Sequence, residues 1–153
     1  MYLDCSNIID RKEIKTEILI TASPEKVWKI LTDFESYPNW NPFIVSIEGN
    51  IRVGSIFKVV LHPPESKPMT FKPTCLSMEP NKEFSWLGKL FFPGIFDGKH
   101  IFELQETSAT KTKLVKREEF NGLLVSLLWK QLDNNPRKGF ELMNEKLKEE
   151  AEK

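Results

Sequence analysis

Cysteine is scarce in this chain: Cys5 and Cys75 are the only two. They stand far apart and make no metal-binding or redox spacing, so a reduced, cytoplasmic setting is the simpler expectation. Histidine is as rare, with His62 and His100 alone, which excludes a zinc site built on several histidines. No Gly-x-Ser-x-Gly, His-Glu-x-x-His or Cys-x-x-Cys occurs, and with them go the common hydrolase, metalloprotease and thiol-redox signatures. Gly94-Ile95-Phe96-Asp97-Gly98-Lys99 has the outline of a phosphate loop. It is one residue short, and His100 takes the place of the required Ser or Thr. No cofactor and no metal are therefore expected. Neither charge sign dominates: 22 basic residues balance 22 acidic ones, so no overall positive field draws the chain to nucleic acid or to an anionic membrane. No apolar run approaches the ~18 residues that span a bilayer, and residues 1–5 lack the basic-then-apolar pattern of a signal peptide. Repeats and low-complexity linkers are absent too. The 153 residues read as one domain, 1–153, with 1–13 as an N-terminal extension.

What is present is aromatic bulk. Eleven phenylalanines and four tryptophans stand against two tyrosines, a greasy, hydroxyl-poor set that fills cores and lines pockets for apolar ligands. Ile14, Thr16, Ile18 and Ile20 alternate with charged or outward residues and predict a half-buried strand. Further strands are expected over residues 44–48, 56–62, 69–78, 83–92, 99–106 and 112–120, the last two as a hairpin around 107–111. Prolines make residues 62–68 a loop. From Gly122 onward the period becomes helical, with Phe140, Met143, Leu147 and Ala151 on one face. Asn135 can cap a second segment with Pro136 at its first position, and periodicity leaves open one kinked helix or two. Residues 144–153 form a solvated face with pairs such as Glu145–Lys148 and Glu149–Lys153. Strands in hairpin order between helices indicate an α+β fold, with the last helix covering the apolar face of the sheet.

The densest local signal lies between Ala22 and Phe43. Ser23 caps a helix that Pro24 opens, and Val27, Trp28, Ile30, Leu31 and Phe34 form its apolar face. Tyr37 and Asn41, each before a proline, are pushed away from helical geometry, so the chain bends twice and presents Trp40 and Phe43. This stretch resembles the opening of the START/Bet v 1-like (SRPBCC) superfamily, in particular its bacterial polyketide cyclase/dehydrase-like branch. The similarity runs from about Lys15 to the C-terminus. It includes Met78-Glu79-Pro80, Phe84-Ser85-Trp86-Leu87-Gly88, the run from Pro93 to His100, and Glu119-Phe120-Asn121-Gly122. The resemblance implies a helix-grip fold: a curved antiparallel β-sheet wrapped around a long C-terminal helix, with one or two short helices after the first strand and a cavity between sheet and helix. It implies far less about function, since that fold serves lipid carriers, hormone receptors, chaperone activators and some enzymes.

Centring the hairpin near Ser108 and Ala109 pairs Leu104 with Leu114, Phe102 with Lys116, His100 with Glu118 and Gly98 with Phe120. A histidine facing a carboxylate on a cavity wall can exchange protons with a ligand, and the carboxylate is expected to favour the protonated imidazole. The plainer alternatives are a hydrogen bond within the sheet, or a one-residue slip that turns the pair to solvent. Lys116 on the same face is a charge suited to anchoring an acidic ligand head. Phe91, Phe92, Ile95 and Phe96 surround Pro93-Gly94, with Gly98 as a hinge. They read as a lid over the cavity mouth and as a surface for transient membrane or protein contact, or else as a hairpin loop folded onto the core. The expected ligand-binding set is Trp40, Phe43, Phe57, Phe71, Trp86, Phe92, Phe96, His100, Phe102, Glu118, Phe120, Phe140 and Met143, although most of its aromatics are expected to be core.

Three functions compete at this stage. The first is a non-enzymatic carrier or sensor of a small hydrophobic molecule, lipid or polyketide-like. The second is a polyketide cyclase/dehydratase-type enzyme in which His100 and Glu118 move a proton. The third is a protein-interaction or chaperone-activating module with a packed interior and no ligand. Balanced charge and the aromatic set favour the first. The lack of a complete catalytic constellation counts against the second.

Overall fold

The computed structural model describes residues 10–90 and 94–153. Strand β1 (Asp10–Ile20) leads into α1 (Pro24–Thr32), a 3-10 turn (Phe34–Ser36) and the short α2 (Tyr37–Trp40). Then come β2 (Ile44–Glu48), β3 (Lys58–Leu61), β4 (Met69–Phe71), β5 (Thr74–Glu79), β6 (Glu83–Leu90), β7 (Phe96–Ser108) and β8 (Lys111–Gly122), and α3 (Val125–Ala151) closes the chain. The strands form two antiparallel sheets, ordered β1-β8-β7-β6-β5 and β2-β3-β4. A bridge between Ile56 and Thr74 and the bonds from Phe57 N–H to the Pro73 carbonyl (3.1 Å) and from Cys75 N–H to the Ser55 carbonyl (2.9 Å) join the two. Together they make a curved antiparallel surface around α3, the α+β helix-grip arrangement that the sequence predicts.

Local chemistry explains most of these elements. Ser23 Oγ accepts from Lys26 N–H at 3.3 Å, and Pro24 needs no partner at the first helical position. Val27 and Leu31 are fully buried. In β1, Ile14, Thr16 and Ile20 face the interior, as period-two alternation requires. The β7–β8 hairpin takes the predicted register, with Leu104 opposite Leu114, Phe102 opposite Lys116, His100 opposite Glu118 and Gly98 opposite Phe120.

Three expectations change. Residues 69–78 are not one strand, because Pro73 has no N–H for the ladder; β4 and β5 separate there and join different sheets. Tyr37 is helical (φ −53°, ψ −42°) despite the proline after it. Its buried hydroxyl donates to the Leu31 carbonyl, and its ring packs on Phe34 and Trp40 at 5.6 and 5.1 Å, which offsets the pre-proline penalty. Asn41 is extended as expected (ψ 112°), and its Oδ1 accepts from Phe43 and Ile44 N–H at 3.0 and 2.9 Å. The C-terminal segment is a single helix with Pro136 inside it; Asn135 does not cap a second helix but donates to Ser66 Oγ at 3.4 Å. Residues 10–13 belong to β1, the edge strand next to β8.

The core lies between the sheets and α3, where Phe140, Met143, Leu147 and Ala151 are fully buried. Helix α3 comes close to Phe43 because Gly139 carries no side chain: a Cβ there would stand 2.3 Å from the Phe43 ring. The charged end of α3 is solvated, with partners set by its surroundings. Lys146 pairs with Glu149, Lys153 with Glu150 and Lys148 with Glu152, and Glu152 is held in place by accepting from Thr21 N–H at 2.7 Å. No helix among the described residues is long and apolar enough to cross a membrane.

Candidate functional site

The curvature leaves a cavity of about 200 Å³ between the sheets and the first half of α3. An apolar cavity of ~150 Å³ already holds a benzene ring, whereas pockets for drug-sized ligands run from about 300 Å³ upward. This one therefore suits one or two fused rings. Its walls are Phe43, Val59 and Leu61, Pro63, Met69 and Phe71, Trp86, Gly88 and Lys89, Phe96, Gly98 and His100, Glu118 and Phe120, and Leu128 and Pro136 of α3, with Pro73 at the junction of the sheets. Met69 and Lys89 are its exposed members and mark where it opens. Part of the space exists because Gly88 of β6 and Gly98 of β7 are directly paired, so two neighbouring strands present no side chain. A Cβ on Gly88 would meet nothing nearer than 3.8 Å.

The polar side chains of the wall are Lys89, His100 and Glu118. His100 lies between aromatic rings, 4.6 Å from Trp86 and 4.7 Å from Phe102. Its Nδ1 is 3.6 Å from Glu118 Oε2, longer than a hydrogen bond, and its Nε2 has no hydrogen-bond partner among the described residues. The expectation that Glu118 favours imidazolium is overturned. Burial, and then the charge of Lys116, hold the His100 pKa well below its ordinary value, so desolvation outweighs the carboxylate. Burial pushes the Glu118 carboxyl up to about 7, with Lys116 acting in the opposite sense.

Lys116 is fully buried but does not line the cavity. Its Nζ stands 2.9 Å from Met143 Sδ and over the rings of Phe140, Phe43 and Phe102 at 4.4, 4.9 and 5.1 Å. Burial depresses its pKa far below the usual lysine range, and Glu118 opposes that shift. A ligand head in the cavity meets Glu118, not this ammonium. Alongside, Asn144 Nδ2 donates to Thr16 Oγ1 at 2.9 Å. Sequence reasoning missed this buried polar pair, although Thr16 on the inward face of β1 and Asn144 beside Met143 were both visible signals.

Seven of the residues expected to bind a ligand converge on the cavity: Phe43, Phe71, Trp86, Phe96, His100, Glu118 and Phe120. Phe57, Phe102, Phe140 and Met143 are packed in the core instead. Trp40 is elsewhere, in a more open depression with Lys26, Lys29 and Lys153, its indole N–H donating to Ser36 Oγ at 3.1 Å. Phe92, like Phe91 and Pro93, lies outside the described residues. The rest of the expected lid is fastened to the start of α3, since Leu123 and Leu124 N–H donate to the Gly94 and Ile95 carbonyls at 3.2 and 3.1 Å. Gly98 is not a hinge but a paired strand residue. The residue with left-handed backbone in this loop is Gly94 (φ +85°). Among the described residues no group of three His, Cys, Asp or Glu side chains is placed to hold a metal ion.

Comparison with known proteins agrees with this architecture. The family model described as "Polyketide cyclase / dehydrase and lipid transport" matches residues 11–152. The Zhui aromatase/cyclase from Streptomyces sp. R1128 superposes with a TM-score of 0.76 at 13% identity, covering 94% of each chain. Norcoclaurine synthase from Thalictrum flavum gives 0.72 at 14% identity, over 94% of this chain and 95% of that one. A protein of unknown function from Staphylococcus aureus gives 0.70 at 18% identity, over 94% and 95%. No curated protein matches in sequence. At such identities the structural likeness shows the fold alone.

Proposed function

The chain belongs to the polyketide cyclase / dehydrase and lipid transport family, and from that premise we propose that it binds a small hydrophobic molecule between its curved sheet and its C-terminal helix. The observation that carries this reading is the largely apolar cavity of about 200 Å³, with five Phe and Trp rings in its wall. Removing about 200 Å² of a bicyclic ligand from water contributes ~5 kcal/mol, from which the costs of association subtract. Taken alone, ~5 kcal/mol corresponds to a dissociation constant of roughly 0.2 mM, so binding in the millimolar range is expected. An interaction module needs no such cavity. An enzyme of the cyclase or dehydratase kind has one feature in its favour, the approach of His100 to Glu118 on the cavity wall. In that case His100→Ala should abolish turnover while leaving binding intact.

The test is mass spectrometry of freshly purified protein, native and then denatured, followed by titration with fatty acids, sterols and small aromatics. Trp86 is the tryptophan on the cavity wall, so binding should change the fluorescence of the natural protein, and Trp86→Phe should remove most of that change. Gly88→Val should fold normally, because a side chain there enters open space, and should lose the ligand because it fills the cavity. A clean mass, together with no response to any of the three ligand classes, would overturn the reading.

A further inference from the structure

The head group of the ligand can be narrowed by what faces it. Glu118 is the carboxylate on the cavity wall, with its side chain 15% exposed. Its Oε2 faces His100 Nδ1, whereas its Oε1 lies beside Gly98, where a Cβ would stand 3.0 Å away. The missing side chain of Gly98 thus leaves a gap that leads to an oxygen with no hydrogen-bond donor among the described residues. The deep cation, Lys116, is walled off behind Phe43, Phe102 and Phe140 and cannot neutralise an acidic head. The other lysine, Lys89, stands exposed at the opening. A carboxylate ligand would bring like charge against Glu118 in an apolar space. A ligand ammonium would shed its hydration to enter an apolar space, where a single carboxylate does not repay the cost of burying a second ion. A neutral hydroxyl pays neither penalty and supplies the donor that Oε1 lacks.

We propose that the cavity selects an uncharged apolar ligand of one or two rings carrying a single hydrogen-bond donor, such as a hydroxyl, which reaches Glu118 Oε1 through the gap at Gly98, and that it turns carboxylic acids away. This rests on the hydrophobic-ligand reading above and fixes its chemical class.

The experiment compares four probes on one scaffold by calorimetry at pH 8, where Glu118 is mostly ionised: naphthalene, 2-naphthol, 2-naphthoate and 2-naphthylmethylamine. A hydrogen bond to a charged group contributes about 1.5–3 kcal/mol, so 2-naphthol should bind roughly 10- to 100-fold more tightly than naphthalene. Naphthoate should bind more weakly than naphthalene. Glu118→Gln should bring naphthol to within about threefold of naphthalene and should narrow the deficit of naphthoate, which keeps only the cost of its own desolvation. Gly98→Ala should weaken naphthol while sparing naphthalene, and it serves where the Glu118 variant fails to fold. If naphthoate or the amine binds best, or if naphthol equals naphthalene, the donor preference is wrong and the hydrophobic-ligand reading survives. If none of the four binds, the assignment of a one- or two-ring donor ligand is overturned, and the hydrophobic-ligand reading is then decided by the mass spectrometry and titrations above.

Discussion

The double variant Lys116→Met, Glu118→Gln should melt roughly 5–10 °C above the natural protein at pH 8. Lys116 is fully buried, with three aromatic rings around an amine whose one hydrogen-bond acceptor among the described residues is the Met143 sulfur. A thioether is a weak acceptor, so most of the hydration lost on folding is not replaced. Exchanging buried ionisable groups for uncharged side chains of similar shape often stabilises by about 1–4 kcal/mol, and for a chain of this size each kcal/mol moves the melting temperature by about 2–4 °C. The pH dependence carries the signature. The folded pKa of Lys116 is depressed below its ordinary 10.5, so the folded state gives up a proton that the unfolded chain keeps, and stability rises as pH climbs toward that value. Glu118 is raised from 4.5 to about 7, so its contribution is present at low pH and is lost as pH rises through that interval. His100 is depressed below 6.5, so its contribution is lost as pH falls below that value. The double variant keeps only the histidine dependence, and its advantage should shrink between pH 8 and pH 10. Lys116→Met alone leaves Glu118 without its counter-charge, and should lose stability as pH rises through 7. Thermal melts of the three proteins at pH 6, 8 and 10 decide the matter. A double variant less stable than the natural protein at pH 8 would show that the buried ammonium is well accommodated.

The second large effect is expected at Gly122→Ala. Gly122 has φ +138°, and a Cβ there would stand 2.3 Å from the Ile95 carbonyl oxygen and 2.6 Å from its carbon. Both obstacles are backbone, so no side-chain rotation relieves the clash. Strained backbone and overpacking together cost about 3–5 kcal/mol, to be read as a shift of the urea midpoint. Gly94→Ala is the control: its φ is also positive, at +85°, but nothing lies within 4 Å of the new carbon, so only the conformational cost of about 1 kcal/mol remains. Ile95 precedes Phe96, whose ring lines the cavity, so Gly122→Ala should also weaken ligand binding. Equal costs for the two variants would mean that the loop moves aside freely.

What the sequence made legible depended on whether a residue's position is set by local pattern or by curvature. The register that brings His100 to Glu118 followed from alternation on two strands and a turn centre, because a one-residue slip would expose Leu104 and Leu114. The cap at Ser23 followed from local chemistry in the same way. Alternation places Phe57, Phe71, Phe102 and Phe120 on inward faces but cannot say which of them meet another side chain. Phe57 and Phe102 are enclosed by other rings, whereas Phe71 and Phe120 border the cavity, Phe120 while also packing on Phe96 and Trp129, because strand twist and the approach of α3 at Gly139 decide that. Lys116 was on the predicted face, yet its distance from the cavity depends on three rings contributed by separate elements. Trp40 was misplaced for a related reason: its indole N–H turns toward Ser36 on the far side of the corner that also carries Phe43.

Pro136 gives the long helix an uneven cooperativity. It sits inside α3 without an N–H to offer the preceding turn, and its ring forms part of the cavity wall. The residues after it anchor the fold through Phe140, Met143, Leu147 and Ala151, all fully buried. Before it, Val125 is fully buried while Leu123 and Leu127 are exposed. The missing rung at Pro136 is a weak joint in the helix, and the half before it is expected to open as a unit of its own. Amides of residues 125–135 should exchange with deuterium well before those of 140–151. The wall of the cavity can then separate at a free energy below that of global unfolding, giving a guest molecule a way in and out while the anchoring half of the helix stays in place.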